Sequence, residues 1–508
     1  LINRMRLTNT INTTPHLAIG FLRSAALWLM LFPVSLLQAQ KIAQHDALTV
    51  EELQADLDVF LDVYDHHPGL HLYHTLEETD SVKAALQHLI QNGTSTEVFY
   101  TELLRALTFL GDGHTGISPG AVYGETFPGN RIIPFGFRIL RDTVYISALK
   151  TGSYSECLFS RLLSVNGVDA DSLLRHMYAL TCADNQNHIF KQAFTERTFG
   201  RNLSYFFGAT ACYEMVCLSP AGDTIITQVN SVSKQDLPVS PSVPPLHSVI
   251  DSEHDLAILT INTFQYPLLV DAGTDFHSFL DKFFKKVRRK KIGHVVIDLR
   301  ENYGGSSVLA LSVFAYLSPE DFRYMDHSFT SLDGSESFAR FTPYPDGHYP
   351  FFNTHDTTAA GNRLLVSNGE DSKEIFSANT IPFGPKKKLR DITANKYDRK
   401  LYVLTSGMTF SSASVLTAKC AERPNTTLIG EPTGSAAGVF CGGGFLYVSL
   451  PHSGFRVELP YMERHVALTD PDTDPHLPVM PDHWIDIHQA DLMEGRDPVL
   501  EKVYELIH

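Results

Sequence analysis

A chain of 508 residues is long for one ordinary domain, so two to four domains are expected. Its hydrophobic content of 43% supports packed cores throughout, and its net charge of −16 argues against nucleic acid or an anionic membrane surface as the main partner. The basic run Lys285 to Lys291 does not change this, because it ends a predicted helix, where cations suit the helix dipole.

The N-terminal segment reads as a targeting signal, with a boundary at 1–39. Arg23 precedes the apolar run Ala25 to Phe32. Pro33 to Leu37 follows, and Leu37-Gln38-Ala39 ends on a small residue. The run is short and broken by Pro33, so it is a poor transmembrane span. Cleavage after Ala39 would remove Arg4, Arg6 and Arg23 and no acid, leaving a more acidic chain. No cysteine follows the cut to take a lipid. The expectation is an exported protein, periplasmic or extracellular, with no stable membrane span.

Residues 48–118 read as a helical cap. Leu53, Leu57, Phe60, Leu61 and Tyr64 recur at helical spacing, as do Val82, Ala85, Leu86 and Leu89, and then Phe99, Leu103, Leu104 and Leu107. The third helix runs into the tight turn Gly111-Asp112-Gly113-His114-Thr115-Gly116. Residues 119–235 read as a mainly β module of peptide-binding size. Strands are predicted over 132–139, 143–147, 161–168, 204–218 and 224–229, with a helix near 172–178. Ser231 to Pro245 is rich in Ser and Pro and reads as a linker. From 246 to 508 strands and helices alternate, which predicts a sheet flanked by helices. Residues 322–395 are polar and irregular in pattern, an insertion over the sheet edge.

Six cysteines (Cys157, Cys182, Cys212, Cys217, Cys420, Cys441) are few for this length, and buried free thiols are the favoured reading. Cys212 and Cys217 fall on opposite faces of one predicted strand and should not pair. No cofactor and no metal are expected. The histidines His66, His67, His71 and His74 are irregularly spaced around Pro68-Gly69, and Gly442-Gly443-Gly444 lacks the strand–loop–helix context of a phosphate loop.

Two segments carry the chemistry. In the first, an apolar strand stops at Asp298-Leu299-Arg300-Glu301-Asn302-Tyr303-Gly304-Gly305. In the second, the strand Leu401 to Leu404 leads through Thr409-Phe410-Ser411-Ser412-Ala413 into a helix. A serine on a strand-to-helix turn sits where a helix N-terminus favours negative charge. A Gly-Gly turn brings backbone N–H groups close to a substrate because no Cβ intervenes. A nucleophile with such donors suits acyl transfer. Against this, a serine at a helix start is commonly just a cap. The serine also needs a base. No lysine lies between Lys419 and Val457, so histidine is favoured, and the glycine-flanked turn fixes the direction of His114. A lone loop histidine is otherwise a surface residue.

These motifs resemble the tail-specific (C-terminal processing) serine peptidases, in particular their tricorn-core and chlamydial protease-like branch. Asp298 to Gly305 is similar to the family's Asp-Leu-Arg-x-Asn-x-Gly-Gly turn, and Thr409 to Ala413 to its nucleophile segment. Gly430-Glu431-Pro432-Thr433 resembles the Gly-Glu-x-Thr strand end, Asp112-Gly113-His114-Thr115 the cap turn, and Pro481-Asp482 the closing Pro-Asp. Arg161 to Gly167 looks like the strand of a PDZ-like module. The resemblance implies a multi-domain α/β chain: a helical cap, a PDZ-like β module and an α/β core of ClpP/crotonase-like type. Two departures stand out. Gly434 to Gly438 lacks the lysine of the Ser–Lys branch, which implies the Ser–His branch, and Ser414 and Val415 stand where a glutamate is common.

The roles carried over are Ser411 as nucleophile, His114 as general base, and Gly304, Gly305 and Ser412 as oxyanion donors. Asp474 is the carboxylate expected to orient His114, with Asp472 and Asp470 beside it, although acids next to prolines commonly cap turns. The implied activity is an exported serine endopeptidase acting on proteins or peptides. The alternatives are a non-catalytic binder of peptides or apolar ligands on the same scaffold, and an esterase. With base and nucleophile on different domains, closure of cap on core is expected to gate activity.

Overall fold

The computed structural model describes residues 48–508, apart from 92–93, 120–130, 152, 209, 238–242, 354–355, 361–362, 368–374 and 384–387. The targeting segment read at 1–39 lies outside the described residues. No helix among the described residues is long and apolar enough to cross a membrane.

The core is a six-stranded sheet in the order 246–251, 256–261, 294–298, 400–405, 426–430, 483–484. The first pair is antiparallel and the rest are parallel. Parallel strands need both faces covered, which explains their continuous apolar runs. Alternate residues divide between the faces. Ala257, Leu259, Val295, Ile297, Leu401 and Val403 pack with the helices Phe276–Lys290, Ser307–Leu317 and Ser412–Ala421. Leu256, Ile258, Val296, Tyr402 and Leu404 pack with Val499 and Val503 of the C-terminal helix Pro498–Ile507. The basic run caps the end of Phe276–Lys290, as its charge favours.

A second six-stranded sheet joins three parts of the chain. Its path runs 116–118, 456–466, 325–330, 363–367, 356–360, with 439–449 also paired to 456–466. The segment 322–395 is therefore not an irregular insertion. It supplies strands 325–330, 356–360 and 363–367 to this sheet and a hairpin of Thr380–Phe383 with Lys388–Asp391. Its polar strands sit partly exposed, so their pattern is weak.

The cap consists of Val50–Asp65, Leu76–Gln91 and Thr96–Phe109. Thr49 opens the first helix with a reciprocal capping box to Glu52. Its apolar faces do not form a separate core. Phe60, Phe99 and Leu103 share one cluster with Tyr349, Leu446, Val457 and Tyr461 of the second sheet and its neighbouring loops.

The β module has the strand order 135–140, 143–149, 161–165, 212–218, 224–230, with 168–169 paired to 161–165. Ala170–Ala179 and a long helix, His188–Phe207, pack on it. The strand expected from 204 begins instead at Cys212, because the helix extends to Phe207. Asn187 caps this helix by accepting from Phe190 N, and Phe199 and Leu203 pack into the core of the module. The helix's β-favouring Phe and Thr residues and Gly200 obscure its period in the sequence. The linker read at 231–245 includes a short strand, Val232–Ser233, paired to Arg131–Ile132. All six cysteines are free thiols.

Candidate active site

The strand 294–298 ends in a turn held from several sides. Arg300 forms a fork to Asp298 (2.8 and 3.0 Å) and a second to Asp497 (2.8 and 2.9 Å), tying the turn to the C-terminal helix. Asn302 is fully buried. Its Nδ2 donates to Ile261 O (3.0 Å), its Oδ1 accepts from Gly304 N (2.9 Å), and its carbonyl accepts from Phe410 N (3.0 Å). Gly304 has φ 91°, and a Cβ there would stand 2.7 Å from Ser411 Cβ and 2.8 Å from Phe410 O. This glycine is what lets the two turns touch.

The second turn is pinned by Thr409 Oγ1 donating to Leu299 O (2.9 Å) and Ser406 Oγ donating to Arg300 O (2.5 Å). Ser411 then takes φ 53° and ψ −126°, a conformation that non-glycine residues rarely adopt. Ser411 N donates to Ser435 Oγ (2.7 Å), which holds this backbone in place. Ser411 occupies the N-cap position of Ser412–Ala421, yet its side chain makes no capping bond. The plain capping reading therefore does not describe it, and its hydroxyl opens into a cavity of about 970 Å³. The nearby serines are structural, with Ser414 Oγ donating to Thr409 O (2.7 Å) and accepting from Ser435 N (3.3 Å).

His114 lines the same cavity from the turn after the third cap helix. Its ring lies among Phe410, Phe440 and Phe445, at centroid distances of 4.6, 5.5 and 6.4 Å. Two buried carboxylates stand at Nδ1: Asp112 Oδ1 at 3.5 Å and Asp184 Oδ1 at 3.9 Å. Among the described residues neither ring nitrogen has a hydrogen-bond partner within normal limits, so no bond joins Nε2 to Ser411 Oγ in this structure. Asp112 is fixed by accepting from His114 N (2.9 Å) through Oδ1 and from His67 Nε2 (3.1 Å) through Oδ2. His67 Nδ1 accepts from Gly69 N (3.1 Å), which leaves the imidazole proton on Nε2 and makes His67 a donor to Asp112. Asp184, from the β module, accepts from Gly113 N (2.7 Å) and Ala436 N (3.3 Å).

Burial opposes charge on each of these groups, and their neighbours decide the outcome. For Asp112 the adjacent imidazoles of His114 and His67 outweigh burial and hold the carboxyl well below its usual range. For His114, burial lowers the pKa, but Asp112, Asp184 and Glu458 together raise it above the ordinary histidine value. Burial pushes Asp184 up to about 6 despite the nearby imidazole. Glu458, across the sheet from Gly116, lines the cavity, and its burial also raises its pKa.

Of the oxyanion donors expected from the sequence, Gly305 and Ser412 line the cavity. Gly304 does not offer its N–H, which Asn302 Oδ1 already accepts. The structure does not bring Asp474 to His114. Asp474 is exposed, and its Oδ1 accepts from His476 N (2.9 Å). Asp470 accepts from Asp472 N and Thr473 Oγ1, so this stretch caps its own turns beside prolines. Asp482 of the Pro-Asp pair accepts from Leu428 N (2.8 Å) and so fastens the sheet. Sequence reasoning passed over Asp112 although it lies two residues from His114, it weighed His67 only as one of a cluster of histidines, and no local signal marks Asp184, Ser435 or Glu458.

Residues 255–440 match the model of peptidase family S41. No curated protein matches the chain in sequence. Among solved structures, mature CPAF in complex with lactacystin is similar at TM-score 0.61 and 15% identity, covering 90% of this chain and 98% of that one. Mature CPAF alone gives TM-score 0.60 and 14% identity, covering 90% and 97%. The photosystem II D1 C-terminal processing protease gives TM-score 0.41 and 13% identity, covering 86% and 93%. At these identities the CPAF likeness speaks for the fold across nearly the whole described chain. The family match falls on the segment that holds both turns, so this part of the chain is similar to the peptidases of family S41.

Proposed function

We propose that this protein is an exported serine endopeptidase in which Ser411 is the nucleophile and His114 the general base. Ser411 Oγ attacks the scissile carbonyl, and His114 Nε2 takes its proton. The N–H groups of Gly305 and Ser412 hold the oxyanion. Asp112, with Asp184 behind it, keeps the imidazole proton on Nδ1 and balances the charge that His114 gains. The observation that carries this reading is the pairing at one cavity of a strained, uncapped serine with an imidazole held from behind by carboxylates. Binding of substrate would tighten the approach of Nε2 to Oγ, as catalytic hydrogen bonds are often long in the free enzyme. The strand Gly116–Ser118 follows His114 directly, ends the path of its sheet and lines the cavity. An extended substrate pairing there would be read through its backbone, which accepts many sequences. Export rests on the apolar run before Ala39.

The test is labelling by a fluorophosphonate probe together with turnover of a protein substrate such as casein. Labelling and peptide cleavage are expected in the wild type and lost in Ser411→Ala. Full activity in His114→Ala would show that another group is the base. Ester turnover without peptide turnover would move the protein to the esterases.

A further inference from the structure

Two carboxylates face one imidazole nitrogen behind the reacting face of His114. The separations of 3.5 and 3.9 Å are too long for firm hydrogen bonds, and Nδ1 has no hydrogen-bond partner among the described residues. The three side chains are between 2 and 6% exposed. Their ligand atoms all lie within 4.8 Å of one another. Ligand atoms at about 2.0–2.2 Å from a tetrahedral zinc ion stand about 3.3–3.6 Å apart, near the 3.5 and 3.9 Å that separate Nδ1 from the two carboxylates. An imidazole with two carboxylates is also a donor set that zinc accepts.

We propose that Asp112, His114 and Asp184 form an inhibitory site for a divalent transition metal, zinc above all. The ion would bind Asp112 Oδ1, His114 Nδ1 and Asp184 Oδ1 and leave a fourth position for water. Gly113 N and His114 N can keep their bonds to the carboxylates, because each oxygen has a second lone pair. The consequence for the ring is a change of tautomer. Zinc takes the Nδ1 lone pair, the Nδ1 proton passes to solvent, Nε2 takes up a proton from solvent in its place, and the neutral ring carries its single proton on Nε2. Nε2 then has no lone pair with which to accept the Ser411 proton. The inhibitory consequence rests on the proposed role of His114, whereas the metal binding does not.

A neighbouring trio, His67, Asp112 and Cys441, also has its ligand atoms within 4.8 Å of one another. It is the weaker site. His67 Nδ1 already accepts from Gly69 N, so a metal on Nε2 would force a proton onto Nδ1 against that donor. Cys441 is buried beside acids, which pushes its thiol well above the usual range and resists the thiolate that zinc needs.

The experiment uses the full chain carrying Ser411→Ala, so that binding is read without turnover or self-cleavage. Zinc affinity is measured by competition with a chromophoric chelator, and Co²⁺ is added for spectroscopy. Expected are one tight site, a weakening by more than about tenfold in Asp184→Asn, and unchanged affinity in Cys441→Ala. The Co²⁺ form should show visible d–d bands without a sulfur-to-cobalt charge-transfer band. That spectrum needs no change at the site, so it stands even where Asp184→Asn folds poorly. A charge-transfer band, loss of binding in Cys441→Ala, or no stoichiometric binding would overturn the assignment. In parallel, fluorophosphonate labelling of the native chain is expected to fall on adding zinc and return with chelator. Zinc binding with unaffected labelling would leave the site standing and count against His114 as base. Labelling that His114→Ala abolishes, without zinc binding, would remove the site and spare the proposed mechanism.

Discussion

The cap and the β module both reach the active site, but they are attached to the core in different ways. The cap shares a continuous apolar cluster with the second sheet. Buried Asp56 adds to this by accepting from His452 N and Ser453 N, both at 2.7 Å. The strand Gly116–Ser118 is itself part of that sheet. The β module instead keeps its own apolar cluster. Much of its contact with the core is polar: Asn187 Nδ2 to the carbonyls of Thr433 and Gly434 (2.9 and 3.0 Å), Gln489 Nε2 to Phe159 O (2.8 Å), and ion pairs of Arg197 with Glu301 and Arg141 with Asp486. Its apolar contact is a small aromatic group in which Phe190 meets Phe410 and Tyr303. Closure of cap on core, expected from the sequence, is thus hard to accommodate, because it would break a hydrophobic core. The less apolar joint is that of the β module, which carries Asp184.

The largest effects should come from the cap's contribution to the site. His114→Ala is expected to lower kcat/KM for a peptide by about 10⁴ or more. Asp112→Asn should cost about 10³–10⁴ while the protein stays folded, because the amide can favour the wrong tautomer of His114. The pH profile sharpens this. His114 is raised above its ordinary value of 6.5, so the acid limb of kcat/KM should lie above that point and move down in Asp112→Asn. An unmoved limb would mean that another group sets it.

Next in size is the fastening of the cap. Asp56→Ala strips two buried N–H groups of their acceptor, and chemical denaturation should show a loss of about 2–4 kcal/mol. Activity per folded molecule should hold at low denaturant, because the cap leaves only when the core melts. Selective loss of activity before the global transition would show the cap to be a separate unit.

The contrast between the two attachments was only partly legible in the sequence. The strand–turn–helix units around Asp298 and Ser411 stood out, because buried parallel strands read as unbroken apolar runs that end at polar turns. Their contact was legible only as a motif. Which N–H Asn302 ties up depends on the fold of the turn, and so Gly304 looked like a donor. Asp184 was invisible for a different reason. It lies 71 residues from Gly113 in another module, and nothing in its own surroundings in the sequence marks it. Asp474 was favoured by position along the chain, yet acids beside prolines make turns whether or not a histidine is near. The helix His188–Phe207 was missed because its aromatic and β-branched residues suit strands equally well.

The smallest effect concerns the seam of the β module, and pH should expose it. Glu196 accepts from Ile139 N (2.8 Å) and pairs with Arg138 (3.0 Å), while the core acids Glu431 and Glu301 lie close enough to be felt. Burial pushes its carboxyl up to about 7, against an ordinary value of 4.5. A folded-state pKa above the unfolded one means that the folded form holds the proton longer. Stability should therefore fall as pH rises from about 4.5 to about 7, since the unfolded chain gives up its proton first. The loss should be concentrated where Glu196 ionises beside other acids, loosening module from core before the cap is touched. Hydrogen exchange at pH 5 and pH 8, corrected for intrinsic rates, should show module amides losing protection while cap amides such as those of Phe99 and Leu103 keep theirs. Glu196→Gln should flatten that difference. Equal loss in cap and module, or no change in the variant, would show that the two attachments are alike after all.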